Sequence, residues 1–149
     1  MLVSSTNEFQ AFMFEQLHFL PEMNGNYTCY SDRKHPEGGY CCIYCREGCY
    51  QLGIADYTIP EDFSVSFRNP ARQLRFGVML SGKTHFKLYQ RCASFTPPSF
   101  IVLEENIKGQ QAWRAGDHFH GLELTVSADF IENILHPVFP DCVSLSAFE

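Results

Sequence analysis

Apolar residues fall into three successive patterns along the chain. At the start, Ser5-x-x-Glu8 has the spacing of a capping box, in which two side chains satisfy orphan amides of a first helical turn. Phe9, Phe12, Met13, Leu17 and Leu20 then recur at helical spacing, and Pro21 ends the run. The pattern predicts a helical segment within residues 1–26, left through the turn Asn24-Gly25-Asn26. From Tyr27 to Val126, short runs rich in Tyr, Phe, Ile, Val and Thr alternate with Gly, Pro, Asn and Asp breaks. Strands are expected near Tyr27–Ser31, Tyr40–Cys45, Cys49–Ile54, Phe63–Arg68, Leu74–Leu80, His85–Tyr89, Phe100–Leu103, Gln110–Arg114 and His118–Val126. Such close spacing of roughly nine short strands predicts an all-β barrel or double sheet over 27–126, not β-α-β units. Arg46-Glu47-Gly48 reads as a three-residue hairpin loop with Gly in the left-handed position, while Ser81-Gly82-Lys83 and Ala115-Gly116-Asp117 each join two strands. In the last stretch, 127–149, Ser127 and Asp129 suit the start of a helix whose apolar stripe is Phe130, Ile131, Ile134 and Leu135. Pro137 ends it, and an apolar tail follows.

Composition narrows the function. The chain has 149 residues, 45% of them hydrophobic, which suits one domain spanning 1–149. No run approaches the ~18 apolar residues of a membrane span. The N-terminus lacks the basic and apolar regions of a secretory signal, so a cytoplasmic protein is expected. With 11 Lys+Arg against 17 Asp+Glu the net charge is −6, and there is no basic cluster to neutralise phosphates. This chain alone is not expected to bind DNA. Seven cysteines without a secretion signal read first as reduced thiols.

Residues from about Gly53 to Phe139 carry a resemblance. Its segments are Ile54-Ala55-Asp56-Tyr57, Arg75-Phe76-Gly77-Val78-Met79-Leu80-Ser81-Gly82 and Phe95-Thr96-Pro97-Pro98-Ser99-Phe100 leading into Glu104. Gly109-Gln110-Gln111-Ala112-Trp113 and Gly116-Asp117-His118-Phe119-His120-Gly121-Leu122-Glu123 follow, ahead of the Ala128–His136 helix. In order and spacing these resemble the N-terminal effector-binding and dimerisation domain of AraC-family transcription regulators. The resemblance implies a mainly β, cupin-like (jelly-roll-type) barrel with an N-terminal helix and a C-terminal dimerisation helix. It further implies a homodimer, an unidentified small-molecule effector, and signalling to a C-terminal helix-turn-helix domain that this sequence does not include. DNA would be reached only through that domain, and no membrane partner is implied. The cysteine-rich first 50 residues match the family least.

Candidate chemistry lies in a few residues. Trp113, the single tryptophan, and Arg75 are expected at an effector pocket, as are His118 and His120, which share a strand face. The competing readings are core packing for Trp113 and a solvated edge or rim for the others, Lys83 among them. His118-x-His120 followed by Glu123 also resembles the metal triad of cupin enzymes. On a regular strand, however, Glu123 faces with Phe119, so a shared metal requires a bulge. Among Cys41, Cys42, Cys45 and Cys49, the hairpin would set Cys45 opposite Cys49, a pair able to hold a soft metal or to oxidise reversibly. A metal-dependent cupin enzyme and a thiol-based metal or redox sensor are thus the alternatives to effector sensing. No cofactor is expected, and a transition metal would find ligands only at those cysteines or histidines. Asn133 and His136 are the candidates for meeting a second subunit.

Overall fold

A computed structural model describes residues 2–82, 84–88, 91–95, 99–135 and 137, with the stretches inside 84–104 and residue 135 described by backbone alone. Among them the chain runs β1 (Leu2–Val3), α1 (Thr6–Gln16), β2 (Leu20–Asn24), β3 (Tyr27–Ser31), β4 (Gly39–Arg46), β5 (Tyr50–Thr58), β6 (Phe63–Ser81), β7 (Thr84–Leu88), β8 (Arg91–Phe95), β9 (Ser99–Trp113), β10 (His118–Ser127) and α2 (Ala128–Leu135). The fold is mainly β with one helix at each end, the class the sequence predicts. All strands belong to one sheet of order β2-β3-β4-β5-β10-β6-β9-β7-β8, with β1 added parallel to β6. Its two ends, β2 and β8, do not pair among the described residues. Among the described residues the sheet is therefore open. β5 and β6, β6 and β7, β8 and β9, and β9 and β10 follow each other in the chain but are not adjacent in the sheet.

Ser5 caps α1, its Oγ accepting from the Glu8 amide at 3.2 Å. The reciprocal half of the capping box is shifted by one residue: Glu8 Oε2 accepts from the amide and hydroxyl of Ser4 at 2.7 and 2.9 Å. The helix ends earlier than the pattern predicts. Leu17 closes it and His18 turns the chain at a left-handed φ of 57°. The reversal buries Phe19 against Tyr57 and leaves Leu20 exposed in β2. Pro21 sits in that strand without penalty because β2 is at the sheet edge.

Two predicted strand pairs are single long strands. Phe63–Arg68 and Leu74–Leu80 join as β6 through a bulge between Asn69 and Arg72, where Asn69 Oδ1 accepts from the Ala71 amide at 3.1 Å. Pro70 falls inside the bulge, where no ladder donor is needed. Phe100–Leu103 and Gln110–Arg114 likewise become β9, which ends at Trp113 and bends where Asn106 takes a φ of 47°. The core lies between α1 and the inner face of the sheet, and includes Val3, Phe12, Met13, Leu17, Phe19, Cys41, Ile43, Val65, Phe67, Trp113 and Phe119.

Candidate functional site: the cavity beneath the first helix

The inner face of the sheet does not meet α1 everywhere. A cavity of about 360 Å³ remains between them, within the usual range of small-molecule sites. The helix roofs it with Phe9, Met13 and Phe14, and the sheet walls it with Ile43, Tyr57, Phe67, Trp113 and Phe119. Strand alternation explains the lining, because β10 turns Phe119, Gly121, Glu123 and Thr125 inward. Aromatic contacts brace the walls: Trp113 lies 4.8 Å from Phe63 and 5.9 Å from Phe9, and Tyr57 stacks on Phe119 at 5.5 Å. Phe14 stacks on Tyr30 of β3 at 3.8 Å, tying the roof to the sheet.

Polar groups make up the smaller share of this lining. Arg75 and Glu123 form an ion pair across β6 and β10, with Nε 3.4 Å from Oε1. Gln111 is buried and also reaches the cavity. Burial pushes the Cys41 thiol up to about 12 and the Tyr57 phenol higher still, so both face the cavity protonated at neutral pH. The site can therefore surround an apolar body and orient it with the Arg75–Glu123 pair and several amides, Gln10, Gln51, Asn69 and Gln111 among them. Cys41, Tyr57 and Glu123 lie close enough in it for charge on one to act on the others.

Of the pocket residues read from sequence, Trp113 and Arg75 line the cavity, and His118 and His120 do not. Both histidines are on the outer face of the sheet, where His118 Nε2 is 3.1 Å from Asp56 Oδ1 and Nδ1 is 3.0 Å from Thr58 Oγ1. The bulge a metal triad would require does exist, but on the wrong strand. His120 pairs with Ser81 and Gly121 with Met79, so Leu80 of β6 is the extra residue while β10 stays regular against β5. Glu123 thus remains inward and the histidines outward. These residues do not fit a shared metal, and among the described residues no three His, Cys, Asp or Glu side chains converge. A Cβ on Gly121 would overlap the Val78 carbonyl at this bulge, which explains the glycine there.

The cysteines also lie differently from expectation. Arg46 pairs with Tyr50, so the hairpin loop is Glu47-Gly48-Cys49, one residue later than predicted, with Gly48 at a φ of 70°. Cys45 faces Gln51, and Cys49 sits in the turn with its amide donating to the Arg46 carbonyl at 3.0 Å. They do not oppose each other. Sequence reasoning missed Cys29, which lies directly across from Cys42, because the strand carrying it could not be registered against β4. The Phe9–Leu20 segment, which its apolar stripe marks as a candidate to dock over the barrel mouth, roofs the cavity as α1. Asn133 is exposed on α2, and His136 lies outside the described residues.

Comparison with known proteins agrees with the class. Residues 37–148 match the family described as the regulatory protein PchR N-terminal domain. No curated protein matches the chain. Among solved structures it is similar to the cupin domain of Schizosaccharomyces pombe Cnp3, with 10% identity and a TM-score of 0.44 over 63% of this chain and 69% of that one. A Salinispora arenicola cupin 2 conserved barrel domain protein shares 8% identity at a TM-score of 0.44, over 66% and 84% of the two chains. A Bordetella pertussis cupin domain shares 10% at 0.42, over 61% and 95%. The family match spans most of the chain, inner-face strands and α2 included: this protein belongs to the family of PchR N-terminal regulatory domains.

Proposed function

We propose that this chain is the effector-sensing domain of a bacterial, cytoplasmic AraC-type transcription regulator, with a small molecule binding in the cavity beneath α1. The observation that carries this reading is the cavity itself: about 360 Å³, mostly apolar and aromatic, with one ion pair, and roofed by a helix. Occupation would shift the balance between two placements of α1, provided the ligand prefers one of them. The signal would pass to a DNA-binding domain, since a net charge of −6 leaves no surplus of phosphate-binding residues here. A sensing role without catalysis is supported by the family.

The probe 8-anilinonaphthalene-1-sulfonate, an apolar ring system with one anionic group, tests the site. Its emission should rise saturably with the wild-type protein. Ala55→Phe, which fills the cavity from β5, should weaken binding about tenfold or more. Equal affinity in the two proteins, both folded by circular dichroism, would overturn the reading.

A further inference from the structure

We propose that Cys29 and Cys42 form a reversible disulfide on the outer face of the sheet, making this strand pair a site of thiol–disulfide modification. Cys29 of β3 and Cys42 of β4 are direct cross-strand partners in the antiparallel ladder. Directly opposed residues have Cα atoms about 4.5–5.5 Å apart, inside the roughly 4.4–6.8 Å that a disulfide spans. Their side chains also point together: the Cys42 thiol donates to Cys29 Sγ with the sulfurs 2.7 Å apart. Both are only half buried, so a small oxidant has access. Cys41 is buried on the inner face, and neither Cys45, which faces Gln51, nor Cys49, in the turn, lies across from another cysteine.

The oxidant is a low-molecular-weight disulfide such as oxidised glutathione. Cys29, which receives the Cys42 proton in the hydrogen bond, is the attacking sulfur. Its thiolate attacks one sulfur of the oxidant, the S–S bond breaks, and one small thiol leaves with the mixed disulfide on Cys29. Cys42 then loses its proton and attacks Cys29 Sγ, expelling the second small thiol. Two protein thiols and one small disulfide become one protein disulfide and two small thiols. In the reduced protein the Cys42 thiol is pushed up to about 12 by burial, by its hydrogen bond to Cys29 and by charge on Cys29. The last two causes disappear once Cys29 is in the mixed disulfide, which favours resolution over persistence of the adduct.

The position gives the bond a consequence. Tyr30 and Cys41, the next residues along each strand, are also paired and face inward, where Tyr30 stacks on Phe14 of α1. A covalent tie between Cys29 and Cys42 fixes the strand pair on which the helix rests. The proposal stands apart from ligand binding in the cavity and does not depend on it.

The test is to incubate the full chain with oxidised glutathione, block remaining thiols with N-ethylmaleimide, and map tryptic peptides by mass spectrometry without reduction. Trypsin cuts after Arg33 and Lys34, placing Cys29 in the peptide 1–33 and Cys42 in 35–46. The expected product is those two peptides joined, two hydrogen masses lighter than their sum, and separated again by dithiothreitol. Because 35–46 also holds Cys41 and Cys45, variants assign the bond. Cys29→Ser and Cys42→Ser should abolish it, while Cys41→Ser and Cys45→Ser should retain it in full. The proposal is overturned if Cys29 and Cys42 are both recovered as maleimide adducts, if Cys29 keeps a glutathione that is never resolved, or if the joined pair survives Cys42→Ser.

Discussion

Trp113 stands between Phe63 of the sheet and Phe9 of the helix and is 2% exposed, so it holds the cavity wall and the roof together. Truncation to alanine removes both contacts and opens a void that rigid strands cannot close. Trp113→Ala should cost about 3–5 kcal/mol in urea unfolding; a loss below about 1 kcal/mol would mean that helix and sheet do not share this contact. At the rim, Asp62 accepts from the Ala115 amide at 2.8 Å and from Arg114 at 2.9 Å, and these bonds hold its carboxyl below the usual range. A depressed folded pKa stabilises the protein above the unfolded value of about 3.9, and that stability is lost as pH falls through the folded value. Asp62→Asn should therefore lower Tm at pH 7 and flatten its decline between about pH 5 and pH 2 relative to wild type. Parallel Tm–pH curves for the two proteins would contradict this account of Asp62.

At the scale of elements, α1 forms the roof of the cavity. Among its contacts with the sheet are aromatic ones, Phe14 stacked on Tyr30 and Phe9 edge-on or tilted against Phe67 and Trp113. Phe14→Ala should speed amide hydrogen exchange across Thr6–Gln16 severalfold while the exchange of β5 and β10 stays unchanged. Unaltered exchange in α1 would show that its docking does not depend on this contact. How much of these elements could be read beforehand depended on whether a local signal existed. The Ser5 cap and the Phe9–Leu17 stripe marked α1, and alternation in His118–Val126 correctly set Phe119 and Glu123 on one face. The end of α1 was misjudged because Leu20 fits the helical spacing, while the force that turns the chain at His18 is burial of Phe19 against Tyr57, a residue 38 positions away. Pro70 hid the continuity of β6 for a similar reason: whether a proline ends a strand or sits in a bulge is decided by the partner strand. The histidines were assigned to one face correctly, but alternation alone does not say which face is inside.

For the whole molecule, we propose that a second copy meets this one through the exposed side of α2. Ala128 is fully buried, Phe130 leans on Tyr50, and Glu132 pairs with Arg72 at 3.0 Å, while Asn133 and Ile134 face outward. A homodimer through this side is expected at micromolar concentration, and Ile134→Asp should convert it to monomer in light scattering. A wild-type protein that scatters as a monomer at high concentration would remove the dimer from the account. Among the described residues, no helix is long and apolar enough to cross a membrane. The sheet exposes a second apolar surface, on its outer face, where Val78, Leu122 and Ile54 form a cross-strand row. Among the described residues a hydrophobic probe thus meets the outer row as well as the cavity, and only binding in the cavity fits a sensor of the kind proposed. The single tryptophan separates them, because the Trp113 indole lies on the cavity and not on the outer face. In a 1H–15N spectrum its one Nε1–H peak should move saturably as 8-anilinonaphthalene-1-sulfonate is added, in step with the rise in probe emission. A peak that stays in place while the emission saturates would put the probe outside the cavity and contradict the central claim.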